Sequence, residues 1–165
     1  MHDNVRGAQP PAFTRRTELV RVLTKEAQRF CVVSTSPWGK WVHWNGYRSE
    51  DCTADHGSCD ACEKVQPRRW KGYLHCLRGP NWESVFLELT LELFNMLEQQ
   101  IPAGEPWRGL YIDVSRTAGG RKGRLRGTVG ENRCSEAKLP REEDPRALLT
   151  FLFNVRKNTR QVDVA

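Results

Sequence analysis

The chain has no uninterrupted apolar run of about 18 residues, the length a helix needs to cross a bilayer. Its opening, MHDNVRGAQPPAF, has no apolar core and places Pro10 and Pro11 where the core of a secretory leader would lie. An intracellular setting, cytoplasm or nucleoid, is therefore expected rather than secretion. There is no internal repeat. The motifs of several common catalysts are missing: no P-loop, no G-x-S-x-G and no H-E-x-x-H. The zinc deaminase pattern, H-x-E followed by P-C-x-x-C, is missing too, since His43 is followed by Trp44 and Asn45, and Cys59 is preceded by Ser58. A role without catalysis is the expectation. Acid is the minority charge, with 20 Asp+Glu against 26 Lys+Arg for a net +6. Together with six tryptophans, that balance suits a partner that is both anionic and stackable, as nucleic acid is.

Length and pattern place one domain in the chain. Residues 1–16 read as a flexible lead-in, 17–135 as the folded domain with an insertion at about 43–67, and 136–165 as a linker and C-terminal helix. Within the domain, Thr17–Arg29 has the spacing of a short helix. Strands are expected over Phe30–Thr35, from Trp41 to Trp44, and over Arg68–Leu77, Val85–Thr90, Arg108–Arg116 and Arg124–Gly130. Thr90 is placed to cap a helix over Leu91–Gln100. Asp144 and Pro145 open an amphipathic helix with Leu148, Leu149, Leu152 and Val155 on one face. The fold class expected is mainly β with flanking helices: strand, strand, strand, helix, strand, strand is the order of a five-stranded OB-fold-like barrel, here with an early insertion.

The insertion is CTADHGSCDAC, residues 52–62. In a reducing compartment clustered cysteines favour a metal over disulfides. Cys59-x2-Cys62 has the spacing that lets two sulfurs chelate one ion from a tight turn, and Cys52 lies upstream. A structural zinc (Zn2+) wants a fourth ligand. His56 would make a compact knuckle within the loop. His43 would instead tie the insertion to the preceding strand, and its strand position favours it. Both remain open on spacing alone. Cys31 and Cys76, in apolar strand patterns, read as small core residues.

The order His43…Cys52…Cys59-x2-Cys62, followed by Arg69-Trp70 at the start of a strand, resembles the single-stranded DNA-binding proteins of T-even bacteriophages. The stretch His56-Gly57-Ser58-Cys59-Asp60-Ala61-Cys62 is similar to a segment of that family. So is the sequence of a basic aromatic strand, a strand with a helix, and a hairpin. The resemblance covers roughly residues 30–130. It implies an OB-fold with a structural zinc held by one histidine and three cysteines, and a cleft beside the metal that binds single-stranded DNA. The loops between ligands are shorter here, and a mixed helix stands where the family has an acidic tail.

Two stretches are candidate nucleic-acid contacts. The first is Arg68, Arg69, Trp70, Lys71 and Tyr73. Alternation puts Arg69, Lys71 and Tyr73 on one face, whereas the resemblance adds Trp70, which the same alternation puts on the other, where it would be core. The second is Arg116, Arg121, Lys122, Arg124 and Arg126, a basic run without an acid that could clamp phosphates. Trp41 and Tyr47 are further stacking candidates. The expected partner is single-stranded DNA, with RNA sharing the same chemistry. The rival expectation is a zinc-stabilised adaptor that binds a protein through the insertion and the C-terminal helix.

Overall fold

The computed structural model describes residues 17–47 and 49–145, without the side chain of His56. The C-terminal helix expected after Pro145 lies outside the described residues. Among the described residues, no helix is long and apolar enough to cross a membrane.

The described residues form a mainly β structure around one mixed sheet of eight strands: β1 (Glu18–Val20), β2 (Gln28–Val32), β3 (Trp38–Trp44), β4 (Ser49–Asp51), β5 (Arg68–Arg78), β6 (Glu83–Thr90), β7 (Leu110–Arg116) and β8 (Leu125–Arg133). A one-turn helix α1 (Asp60–Glu63) follows β4, and α2 (Leu91–Glu98) links β6 to β7. The pairing path is β1-β6-β5-β2-β7-β8, with β3 beside β5 and β4 beside β3. This path is open. At one end β1 runs parallel to β6, Leu19 opposite Phe86. At the other, the turn after α2 covers the edge of β8: Gln100 Nε2 donates to the Gly127 carbonyl and Gln100 Oε1 accepts from the Val129 N–H, both at 3.0 Å. A side-chain amide thus replaces two ladder bonds that a further strand would have made.

The N-terminal segment departs from expectation. Leu19, Val20 and Leu23 have helical spacing, but 18–20 is a strand. The period of two carried by Val20 and Val22, both buried, prevails because the edge of β6 offers unpaired backbone groups to satisfy. In contrast, α2 forms as its sequence dictates. Thr90 Oγ1 accepts from the Leu93 N–H at 3.2 Å, and Leu93 and Leu97, four residues apart, are both buried.

The core lies between α2 and the inner face of the sheet, where Phe30, Val32, Leu74, Cys76, Leu87, Leu89, Ile112 and Val114 meet Leu93 and Leu97. Trp70 covers the margin of this core. Its indole lies over Gly39 and Gly72, where a Cβ would fall 2.4 Å from the ring in either case, and its centroid is 5.0 Å from that of Phe94. Only glycine leaves room for the indole at those two positions.

Candidate metal centre and nucleic-acid interface

His43 sits within β3, opposite Glu50 of β4 and Arg68 of β5, and is 1% exposed. Cys52 follows β4, and its N–H bonds to the Trp41 carbonyl at 2.9 Å, which brings it beside His43. Cys59 is the N-cap residue of α1 and Cys62 lies within that helix. The loop between is closed by Thr53 Oγ1 donating to the Ser58 carbonyl at 2.6 Å. The four ligand atoms of His43, Cys52, Cys59 and Cys62 all lie within 4.8 Å of one another. His43 Nε2 is 3.4 Å from Cys62 Sγ and 3.6 Å from Cys59 Sγ, and Cys52 Sγ is 3.6 Å from Cys62 Sγ. Zinc bond lengths in tetrahedral geometry put ligands about 3.8 Å apart for two sulfurs and about 3.6 Å for sulfur and nitrogen. The separations fit that cage and greatly exceed the ~2.05 Å of a disulfide.

The histidine is set in the tautomer a metal needs. Its Nδ1 is 3.2 Å from the Pro67 carbonyl. A carbonyl only accepts, so Nδ1 carries the proton and the Nε2 lone pair faces the sulfurs. The thiols show what a cation would relieve. Backbone N–H groups of Cys62 and Thr53 hold the Cys59 thiolate and bring its pKa down to about 6. The Cys62 thiol is pushed up to about 11 by its hydrogen bond to Cys52, by burial and by Cys59. Burial opposes charge on His43, but hydrogen bonds to Cys52 and Cys59 outweigh it and raise its pKa. Three thiolates crowd one point and resist joint ionisation, which a divalent cation reverses. The four residues lie close enough to hold a metal ion, and with four protein donors the set is complete without His56.

The nucleic-acid candidates divide by face. Trp70, Gly72, Leu74 and Cys76 of β5 point inward, so Arg69, Lys71 and Tyr73 point outward. Register carries this to β3: Trp38 pairs with Tyr73, Lys40 with Lys71 and Val42 with Arg69. Trp38, Lys40 and Trp44 therefore share the outer face with Arg69 and Lys71. Trp38 is 39% and Trp44 57% exposed. Neither was singled out from sequence, although alternation outward from the inward-facing His43 leads to both. Lys71 and Lys40 are half-buried and face Glu88 and Asp51, at 3.6 and 2.5 Å.

Three candidates need correction. Tyr73 lies on the expected face but is 2% exposed, so its ring has no free surface for a base. Trp70 belongs to the inner face and packs on Phe94. Arg116 is half-buried, its Nε donating to the Val22 carbonyl at 2.5 Å and its Nη1 to the Gly123 carbonyl at 2.6 Å, so its guanidinium is engaged with the backbone. Arg68 and Trp41 contact each other, the guanidinium carbon 4.5 Å from the ring centroid, which occupies one face of Trp41. Tyr47, at the β3–β4 turn, is 92% exposed. Arg121, Lys122, Arg124 and Arg126 are exposed around the β7–β8 turn.

A buried His75 sits 2.6 Å from Ser84 Oγ. Its Nδ1 accepts from the Glu143 N–H at 3.1 Å, so Nε2 carries the proton and donates toward Ser84. A histidine acting as base on serine needs the opposite tautomer. No family model, curated protein or solved structure matches this chain.

Proposed function

We propose that the protein binds single-stranded nucleic acid, DNA in the first instance and largely without regard to sequence, on the outer face of β3 and β5, with a structural zinc holding that face in shape. The observation that carries this reading is the in-register grouping of Trp38, Trp44, Arg69 and Lys71 on one sheet face. Exposed indoles offer bases a stacking platform worth about 1–3 kcal/mol per base, and the cations beside them follow the phosphates. The exposed Arg121, Lys122, Arg124 and Arg126 add a second basic surface at the β7–β8 turn.

The strand order supports an OB-fold-like reading. β2 and β3 share one edge of β5, β5 pairs with β6, α2 follows, and β7 pairs with both β2 and β8. In OB-folds the second and third strands and the loops L12 and L45 bind oligonucleotides. By this order β5 and β6 are those strands, the cysteine insertion is L12 and the β7–β8 turn is L45. The zinc, held by His43, Cys52, Cys59 and Cys62, would supply structure and charge compensation. Through it β3, the end of β4 and α1 would become one unit, which holds Trp44 two residues beyond Val42, the register partner of Arg69.

Titration of tryptophan fluorescence with an oligo-dT tests the proposal. Quenching is expected, with affinity falling as salt rises. Absence of binding at low salt would overturn it.

A further inference from the structure

The β7–β8 turn, TAGGRKGR over residues 117–124, is hydrogen-bonded both across its ends and to a separate segment of the chain. Its ends are closed by Thr117 N–H donating to the Arg124 carbonyl and Arg124 N–H donating to Thr117 Oγ1, both at 3.0 Å. Its tip is fastened to the segment after β1, where Gly120 N–H donates to the Leu23 carbonyl at 2.9 Å, and the end of β7 is fastened there too, Arg116 N–H donating to the Thr24 carbonyl at 2.8 Å. The Arg116 guanidinium joins both parts, through the Val22 carbonyl on one side and the Gly123 carbonyl on the other. Arg116 is thus the one arginine of the basic run whose fork points into the protein. The remaining bases, Arg121, Lys122, Arg124 and Arg126, are carried outward on the loop it holds.

We propose that Arg116 is the positioning residue of a phosphate-gripping loop: it presets the shape of the 117–124 turn for a single-stranded phosphodiester backbone and makes no phosphate contact itself. This rests on the nucleic-acid reading above and adds a division of labour within one charge run. A loop ordered in advance spares the ordering cost at the moment of binding. A guanidinium that forks onto two carbonyls from separate segments does this better than a lysine, whose ammonium lacks the planar fork.

The test compares Arg116→Gln, Gly123→Ala and Lys122→Ala. Gly123→Ala changes the loop without touching a charge, because a Cβ there would fall 2.2 Å from the Ala118 carbonyl oxygen. Trypsin cleavage after residues 121–126, located by mass spectrometry, reads loop order without any ligand, and it should accelerate in Arg116→Gln and Gly123→Ala. For oligo-dT, affinity should fall about ten-fold in both as the ordering cost moves into binding, while the slope of log affinity against log salt stays native. Lys122→Ala should instead lower that slope by about 0.7, the value of one single-strand phosphate contact. Arg116→Lys should restore only part of the affinity. If Arg116→Gln lowers the slope as Lys122→Ala does, Arg116 grips phosphate itself and the proposal falls. Native cleavage rates in both loop variants also overturn it. Where Arg116→Gln does not fold, Gly123→Ala decides. If the native protein does not bind oligo-dT, the interface reading fails, and the cleavage rates still judge Arg116.

Discussion

His43 Nδ1 lies 3.2 Å from the carbonyl oxygen of Pro67, the residue that leads into β5. This bond fixes both the tautomer and the plane of the imidazole. It also links the last residue of the insertion to the strand before it, so the cysteine cluster is braced from both sides.

Metal content follows directly from that arrangement. Elemental analysis should give one zinc per chain. Cys59→Ser and His43→Ala should lose it, whereas His56→Ala should keep it. Binding to the folded state alone stabilises by about 4 kcal/mol when free zinc is 1,000-fold above its dissociation constant. Chelation should therefore lower the melting temperature of the native protein and leave that of Cys59→Ser unmoved. Zinc retained in His43→Ala would assign the fourth ligand elsewhere.

The outer-face indoles should carry the stacking. Trp38→Ala and Trp44→Ala are each expected to weaken oligo-dT binding by about 1–3 kcal/mol and to reduce the quench. Tyr73→Phe should leave affinity unchanged, because Tyr73 is buried. Fluorescence titration of the three variants at one salt concentration checks this. Equal affinity in all three would remove β3 from the interface.

Trp70 separates packing from binding. Its indole rests on Gly39, Gly72 and Phe94. Trp70→Ala should cost about 3–5 kcal/mol of stability, and Gly72→Ala, which pushes a methyl into the ring, about 1–3 kcal/mol. Urea unfolding measures both. If Trp70→Ala unfolds like the native protein yet no longer binds oligo-dT, the indole is a base platform after all.

The fates of these residues show what a linear sequence encodes. The Cys/His cluster was legible because three of its four residues lie within eleven positions, and chelation needs short spacing. Helix α2 was legible because its cap and its apolar pair, Leu93 and Leu97, are local. The alternation of β5 correctly put Trp70 apart from Arg69 and Lys71, but it could not show what covers a face, so Tyr73 read as available. β1 was hidden because its pairing edge belongs to β6, more than sixty residues away. Arg116 was hidden for a similar reason: its two acceptors, Val22 and Gly123, meet only in the folded chain. Trp38 and Trp44 needed only the inward assignment of His43 to be carried along β3.

His75 gives the fold a pH dependence whose sign can be worked out. Burial lowers its pKa below the ordinary 6.5, only partly offset by Glu143 and Glu142, with Arg108 acting in the same direction as burial. Its hydrogen bonds agree, since Nδ1 accepts from the Glu143 N–H and a protonated ring could not. The unfolded chain takes up a proton near the ordinary value, whereas the folded chain resists until a lower pH. Between the two values the unfolded state binds more protons, so stability falls as pH falls. The contribution is fully present above the unfolded pKa and is lost on acidification toward the folded one, at no more than about 1.4 kcal/mol per pH unit for a single proton. His75→Gln keeps a donor and an acceptor but does not titrate. The melting temperature of the native protein should therefore drop more steeply between pH 7.5 and 5.5 than that of His75→Gln. Both proteins share the acid sensitivity of the cysteine cluster, so it cancels in the difference. Parallel slopes would show that His75 takes up its proton at the same pH in the folded and unfolded chain, and would overturn this assignment.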